Sequence, residues 1–168
     1  MRGFTLIEVM IALVVVGILS FIGLPEFTLM MANTQVRTAA EAITNGVQTA
    51  RNEAVQRNGP VRFVLGNQSA YQVIVVSTGE VVRNRSANEG SSKALVTASP
   101  AGATEVTFNS FGQVTTNPDA TATLQKILVT SASVPVGTRT MQIELGSNVR
   151  MCDPQVATAG DPRKCLLP

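Results

Sequence analysis

Three groups of residues in this chain have types and spacings that could do chemistry. Glu8 is the only ionisable residue in the apolar run 4–24. A carboxylate in lipid is costly, so one that is kept there calls for a cation or a route to the headgroups. Cys152 and Cys165, the only two cysteines, could form a disulfide, bind a metal or act as a redox pair. Arg139, Arg150, Arg163 and Lys164 crowd the C-terminal third, where cations could meet phosphates or an acidic partner. Against these stands an absence: the chain has no histidine, hence no usual general base, zinc ligand or pH switch. The serines lack that partner, and the scattered carboxylates show no catalytic spacing. The residues point to no enzyme, no metal and no cofactor. Two thiolates without histidine would leave a zinc tetrahedron half empty, and a redox pair is more often Cys-x-x-Cys.

The elements that must position these residues follow from hydrophobic pattern. The chain has 168 residues, only 14% of them charged, with a formal net charge of +2. The 21 residues from 4 to 24 would form a helix of ~31 Å, enough for the ~30 Å hydrocarbon core of a bilayer. Behind the run stand Gly23-Leu24-Pro25-Glu26, not a small-residue cleavage site, so the segment is expected to stay as an anchor. Arg2 is the only basic residue before it. By the positive-inside rule the start faces the cytoplasm and the remainder is exported across a bacterial inner membrane. Glu8 lies near enough to the start to snorkel; alternatively it pairs with a cation inside an assembly.

Pro25 is expected to kink or locally melt the helix. Beyond it Val36, Ala40, Ile43, Val47, Ala50 and Ala54 share one helix face, while Arg37 with Glu41 and Glu53 with Arg57 are i, i+4 pairs on the outside. Asn58-Gly59-Pro60 stops this amphipathic stretch, residues 25–59. Strand-like runs then appear at 61–65, 71–77, 80–85, 105–108, 124–130, 139–145 and 148–151. Turns are expected at Gly66-Asn67, Thr78-Gly79 and Gly146-Ser147, the last a type II′ loop, and surface loops at 86–92 and 115–121. The fold class is α+β, with a long N-terminal helix packed on an antiparallel β domain over residues 60–168. Phe108 and Phe111 are assigned to core and turn packing. Both cysteines fall on the exported side, where a disulfide is the default; it would close a C-terminal tail and stabilise it by ~3 kcal/mol. Within that loop Asp153-Pro154 and Gly160-Asp161-Pro162-Arg163-Lys164 read as Asp-Pro turns with local charge compensation, ahead of a binding surface.

The start, Gly3-Phe4-Thr5-Leu6-Ile7-Glu8, resembles the processing site of type IV prepilins and pseudopilins. The resemblance implies a three-residue leader (residues 1–3), cleavage between Gly3 and Phe4 by a prepilin peptidase, and methylation of the new Phe4 amine. It favours the pairing role for Glu8, because cleavage would create a cation four residues away. The segment Thr49-Ala50-Arg51-Asn52-Glu53-Ala54-Val55-Gln56-Arg57-Asn58-Gly59-Pro60-Val61 is similar to the helix end and first strand of the GspH/FimT group of minor pilins and pseudopilins. Val106-Thr107-Phe108-Asn109-Ser110-Phe111-Gly112 looks like that group's mid-domain strand and turn, whereas residues 84–104 have no counterpart. FimT-type proteins implicated in DNA uptake carry a Gly-Arg-x-Arg tail, but here it reads Gly160-Asp161-Pro162-Arg163. The cysteine-bounded tail looks more like the FimU type of minor pilin. The resemblance thus implies a minor type IV pilin that primes pilus assembly and sits at or near the tip, supporting motility and adhesion. Its partners would be other minor pilins, the major pilin, the prepilin peptidase and the inner membrane. The alternatives are a DNA-binding minor pilin for natural transformation and a GspH-type pseudopilin of a type II secretion system.

Overall fold

A computed structural model describes residues 3–132, 137–146, 148–158 and 160–166. The leader residues Met1 and Arg2, and Ser147 of the expected type II′ turn, lie outside the described residues. One helix, α1 (Leu6–Gln56), runs for 51 residues. The expected melting at Pro25 does not occur: the backbone stays helical through it. A proline removes one backbone hydrogen bond, and the helix continues on both sides of it. Arg57 caps the C-terminus, Asn58 takes the left-handed conformation (φ 49°), and Gly59 N–H donates to the Ala54 carbonyl. This is a Schellman stop with asparagine in the glycine role.

Among the described residues nine strands follow: β1 (Val61–Leu65), β2 (Tyr71–Val75), β3 (Val81–Arg85), β4 (Ala94–Ser99), β5 (Glu105–Phe108), β6 (Val114–Thr115), β7 (Lys126–Ser131), β8 (Met141–Leu145) and β9 (Val149–Cys152). They form two antiparallel sheets, ordered β3-β2-β1-β5-β6 and β4-β7-β8-β9. The helix lies against both. Val36, Ala39, Ala40, Ile43, Val47, Ala50 and Ala54 are fully buried against a core that includes Phe63, Tyr71, Val73, Val106, Ile127, Val129 and Ile143. Four alanines in that stripe let the sheets approach closely. Each buried Val, Ile or Phe contributes roughly 1.5–3 kcal/mol, so this stripe holds the domain to its anchor. At Gly46 the approach is closest, since a Cβ there would meet Tyr71 ring atoms at 2.5–2.9 Å.

Two expectations need correction. Strand β4 lies in the stretch that had no strand-like run. Its Leu95-Val96-Thr97 centre is flanked by Ala and Ser, and it is placed by its six-residue pairing with β7. The two expected surface loops are mostly exposed, and each is tied down at a few points. Arg85 donates to the carbonyls of Ser69 and Glu89 and to Ser91 Oγ, and Ser91 is buried against Ser69. In the second loop Thr115 belongs to β6, and buried Asn117 accepts from Thr107 Oγ1 and donates to the Glu105 carbonyl. Burial, followed by neighbouring Asp119, pushes the Glu105 carboxyl up from its ordinary range, partly opposed by Arg62 at 3.3 Å. Finally, Phe108 is buried as expected, but Phe111 is 80% exposed.

Candidate functional site: the anchor helix and the disulfide tail

Thr5, in extended conformation (φ −82°, ψ 151°), is the N-cap of α1 and its Oγ1 accepts from Glu8 N–H. Thr5-x-x-Glu8 therefore has the spacing of a capping box, a local signal in the sequence beyond snorkelling or pairing of Glu8. Glu8 sits in the first helical turn, where an anion is favoured by the helix dipole. Phe4 and Glu8 line one concave face with Val9, Ala12, Leu13 and Val16. The helix contains an 18-residue window of mean hydropathy 2.6, none of it buried within the subunit. An isolated chain can cover that face only with lipid or with other subunits.

At the other end Cys152 and Cys165 form a disulfide, with Cα atoms 5.1 Å apart. Around it the tail is fastened at several points. Asp153 N–H donates to the Arg163 carbonyl, and Asp153 and Asp161 each accept a backbone N–H two residues on, making the two expected turns. Glu144, buried beneath the tail, accepts from Leu166 N–H. Its carboxylate and the two sulfurs lie within 4.8 Å of one another, but both sulfurs are committed to the disulfide. Nothing in the sequence marked Glu144 as a tail contact except its place on the alternate face of β8.

The four candidate cations do not make one patch. Arg150 Nη2 donates to the carbonyls of Pro162 (2.6 Å) and Lys164 (2.7 Å), so it staples the tail. Arg163 pairs with Asp161 at 2.8 Å, which holds that carboxyl down at about 2 and raises the guanidinium. Lys164 Nζ reaches the Ala157 carbonyl at 3.4 Å. Arg139 lies elsewhere: its backbone N–H donates to Asn33 Oδ1 on α1. It borders a groove of about 570 Å³ between the helix and the ends of β8 and β9. Farther along the helix Arg57 bridges Glu53 and Glu80, and Arg37 pairs with Glu41.

A membrane-anchored helix that continues into the core of an antiparallel β domain, with a carboxylate one turn from its start, defines a pilin-type subunit. Family models narrow the class. The prokaryotic N-terminal methylation motif matches residues 1–24, and the model for type II transport protein GspH matches residues 39–155. The chain belongs to the GspH family, which is structural and not enzymatic. Among solved structures it is similar to the type IV minor pilin FimU of Pseudomonas aeruginosa PAO1 in space group P21. That likeness has a TM-score of 0.53 and 16% identity, and covers 74% of this chain and 92% of that one. A second crystal form of FimU, P65, aligns with a TM-score of 0.49 and 16% identity over 73% and 97% of the two chains. The first likeness gives the fold: one long helix on antiparallel sheets.

Proposed function

We propose that this chain is a minor type IV pilin that helps prime pilus assembly and resides at or near the pilus tip, beside other minor pilins and the major pilin. The observation that carries the reading is the apolar N-terminal stretch of α1, with an 18-residue window uncovered within the subunit and headed by Phe4 and Glu8, on a domain fold shared with a type IV minor pilin. In this reading a prepilin peptidase hydrolyses the Gly3–Phe4 bond and the freed Phe4 amine is methylated. The resulting cation then pairs with Glu8 within or between subunits, setting register in lipid. The β domain faces the periplasm before the subunit enters the filament. A second reading, a pseudopilin of a type II secretion machine, is favoured by the family model itself. Capture of DNA for uptake draws less support, because Arg150 and Arg163 are engaged within the tail.

Mass spectrometry of the membrane-extracted protein tests the processing: loss of residues 1–3 and a methylated Phe4 are expected, and an intact Met1 in assembled protein refutes it. Glu8→Ala should insert at least as well as wild type, having lost a charge from lipid, yet enter filaments or the priming complex poorly. Normal piliation by that variant, in a strain dependent on this subunit, would remove the pairing role. Co-purification with minor pilins or with secretion pseudopilins separates the two machines.

A further inference from the structure

Just above the anchor lies a groove that no step of processing or assembly uses. Its walls are Leu29, Met30, Met141 and Met151, and Glu26 and Arg139 stand at its rim. These two carry opposite charges on one cavity, yet no ion pair joins them, and among the described residues neither side chain has a polar partner. Nearby cations differ: Arg37 is paired with Glu41, Arg150 is held by two carbonyls and Arg163 by Asp161. An unpaired acid and an unpaired base that face one space without meeting fit a ligand carrying both charges.

The position of the groove says what that ligand is. Residues 4–24 fill the ~30 Å hydrocarbon core, and the headgroup layer beyond it is ~5–8 Å deep. Glu26 lies ~3 Å past Leu24 along the helix, and Asn33, which accepts the Arg139 N–H, lies ~13 Å past it. The groove therefore opens at headgroup depth, with Arg139 above it on a stem long enough to reach back toward the phosphates. Nor does apolar surface end with the anchor. Phe27, Met30 and Met31 are 61%, 68% and 47% exposed, and Met30 is also a wall of the groove, so the lipid-facing surface and the groove are continuous.

We propose that the groove holds one phosphatidylethanolamine of the surrounding bilayer. Its phosphate meets Arg139, its ammonium meets Glu26, and the glycerol end of its acyl chains lies along Leu29, Met30, Met141 and Met151, whose thioethers adapt to a flexible chain. The inference rests on the reading of residues 4–24 as a membrane anchor. A lipid held this way fastens the base of the β domain to the bilayer, and the subunit must give it up to leave the membrane for a filament.

The test titrates the full-length protein in detergent micelles with phosphatidylethanolamine or phosphatidylglycerol of the same acyl chains and counts bound lipid by native mass spectrometry. Wild type should bind one phosphatidylethanolamine about tenfold more tightly than phosphatidylglycerol, which has no cation for Glu26, because a charge-assisted hydrogen bond is worth about that factor. Arg139→Gln should weaken both lipids about tenfold, whereas Glu26→Gln should weaken only phosphatidylethanolamine and so erase the preference. Lys93→Gln, which removes an exposed cation outside the groove, should change neither. The wild-type preference needs no variant, so equal binding of the two lipids overturns the inference by itself. Equal losses from Arg139→Gln and Lys93→Gln overturn it too, since they mark general attraction to a charged surface, as does a protein dimer in place of the lipid adduct. Flotation of the wild type with phosphatidylglycerol vesicles reports separately on the anchor.

Discussion

Substituting Gly46 by alanine tests how the helix meets the sheets. On an exposed helix this change would stabilise by ~1 kcal/mol, because glycine is the poorer helix former. Here the added Cβ would lie 2.5 Å from Tyr71 Cε2, 2.7 Å from Cζ and 2.9 Å from Cδ2. Ordinary carbon contacts are ~3.5–4.0 Å, so ring and helix must part by about 1 Å. Tyr71 is 1% exposed and packs on Phe63 with centroids 5.3 Å apart, leaving it little room to yield. Overpacking of this kind costs ~1–3 kcal/mol, and after the gain in helix propensity a net loss of up to about 2 kcal/mol remains. For a chain of this size that lowers Tm by up to roughly 8 °C. The assay is unusually direct, since Tyr71 is the only tyrosine and the chain has no tryptophan. Intrinsic fluorescence of the detergent-solubilised full chain therefore follows this contact during thermal unfolding. Tyr71→Val, which removes the fluorophore and is therefore followed by circular dichroism, should remove most of the penalty in a double-mutant cycle. If Gly46→Ala raised Tm in the wild-type background, the close approach of helix to sheet would be wrong.

The tail yields three further expectations. Cys152→Ser should lower stability by about 3 kcal/mol in denaturant unfolding, and thiol titration of the oxidised wild type should find no free cysteine. Asp161 has a depressed pKa, so its contribution is present above the ordinary aspartate range and is lost as pH falls through about 2; Asp161→Asn should erase that acid-side loosening, read by amide exchange at Arg163. Duplex DNA should bind the protein no better than ~10⁻⁴ to 10⁻⁶ M near physiological salt. Arg163→Ala with Lys164→Ala should impair assembly more than DNA affinity, and submicromolar binding abolished by that double change with piliation intact would favour an uptake receptor.

The helix stripe was legible because burial on one face leaves a 3.6-residue period, and all six residues assigned to it are fully buried. The C-terminal stop and the disulfide were legible for similarly local reasons. What escaped was decided at long range. Strand β4 has its Leu95-Val96-Thr97 centre flanked by Ala and Ser and is placed by the ladder that β7 offers it. Phe111 reads as core or turn packing, yet Asn109 and Gly112 hold the turn so that its ring stays exposed. The cations at 150, 163 and 164 are neighbours in space, but backbone carbonyls and Asp161 claim them. Composition shows how many charges there are, whereas only the folded tail shows how many are spoken for.

The unbroken passage of α1 through Pro25 has a mechanical consequence. At 1.5 Å per residue the helix is a strut ~76 Å long, and its last five turns are the spine of the β domain. Tension applied at the anchor is not absorbed by a melted hinge; it travels along the hydrogen-bond ladder into the interface between the helix and both sheets. The load is then shared in shear by the row from Val36 to Ala54, rather than peeling one strand at a time. The disulfide tail lies off this line of force, on β8 and β9, so its fastening resists unravelling of the domain's end while the spine carries the pull.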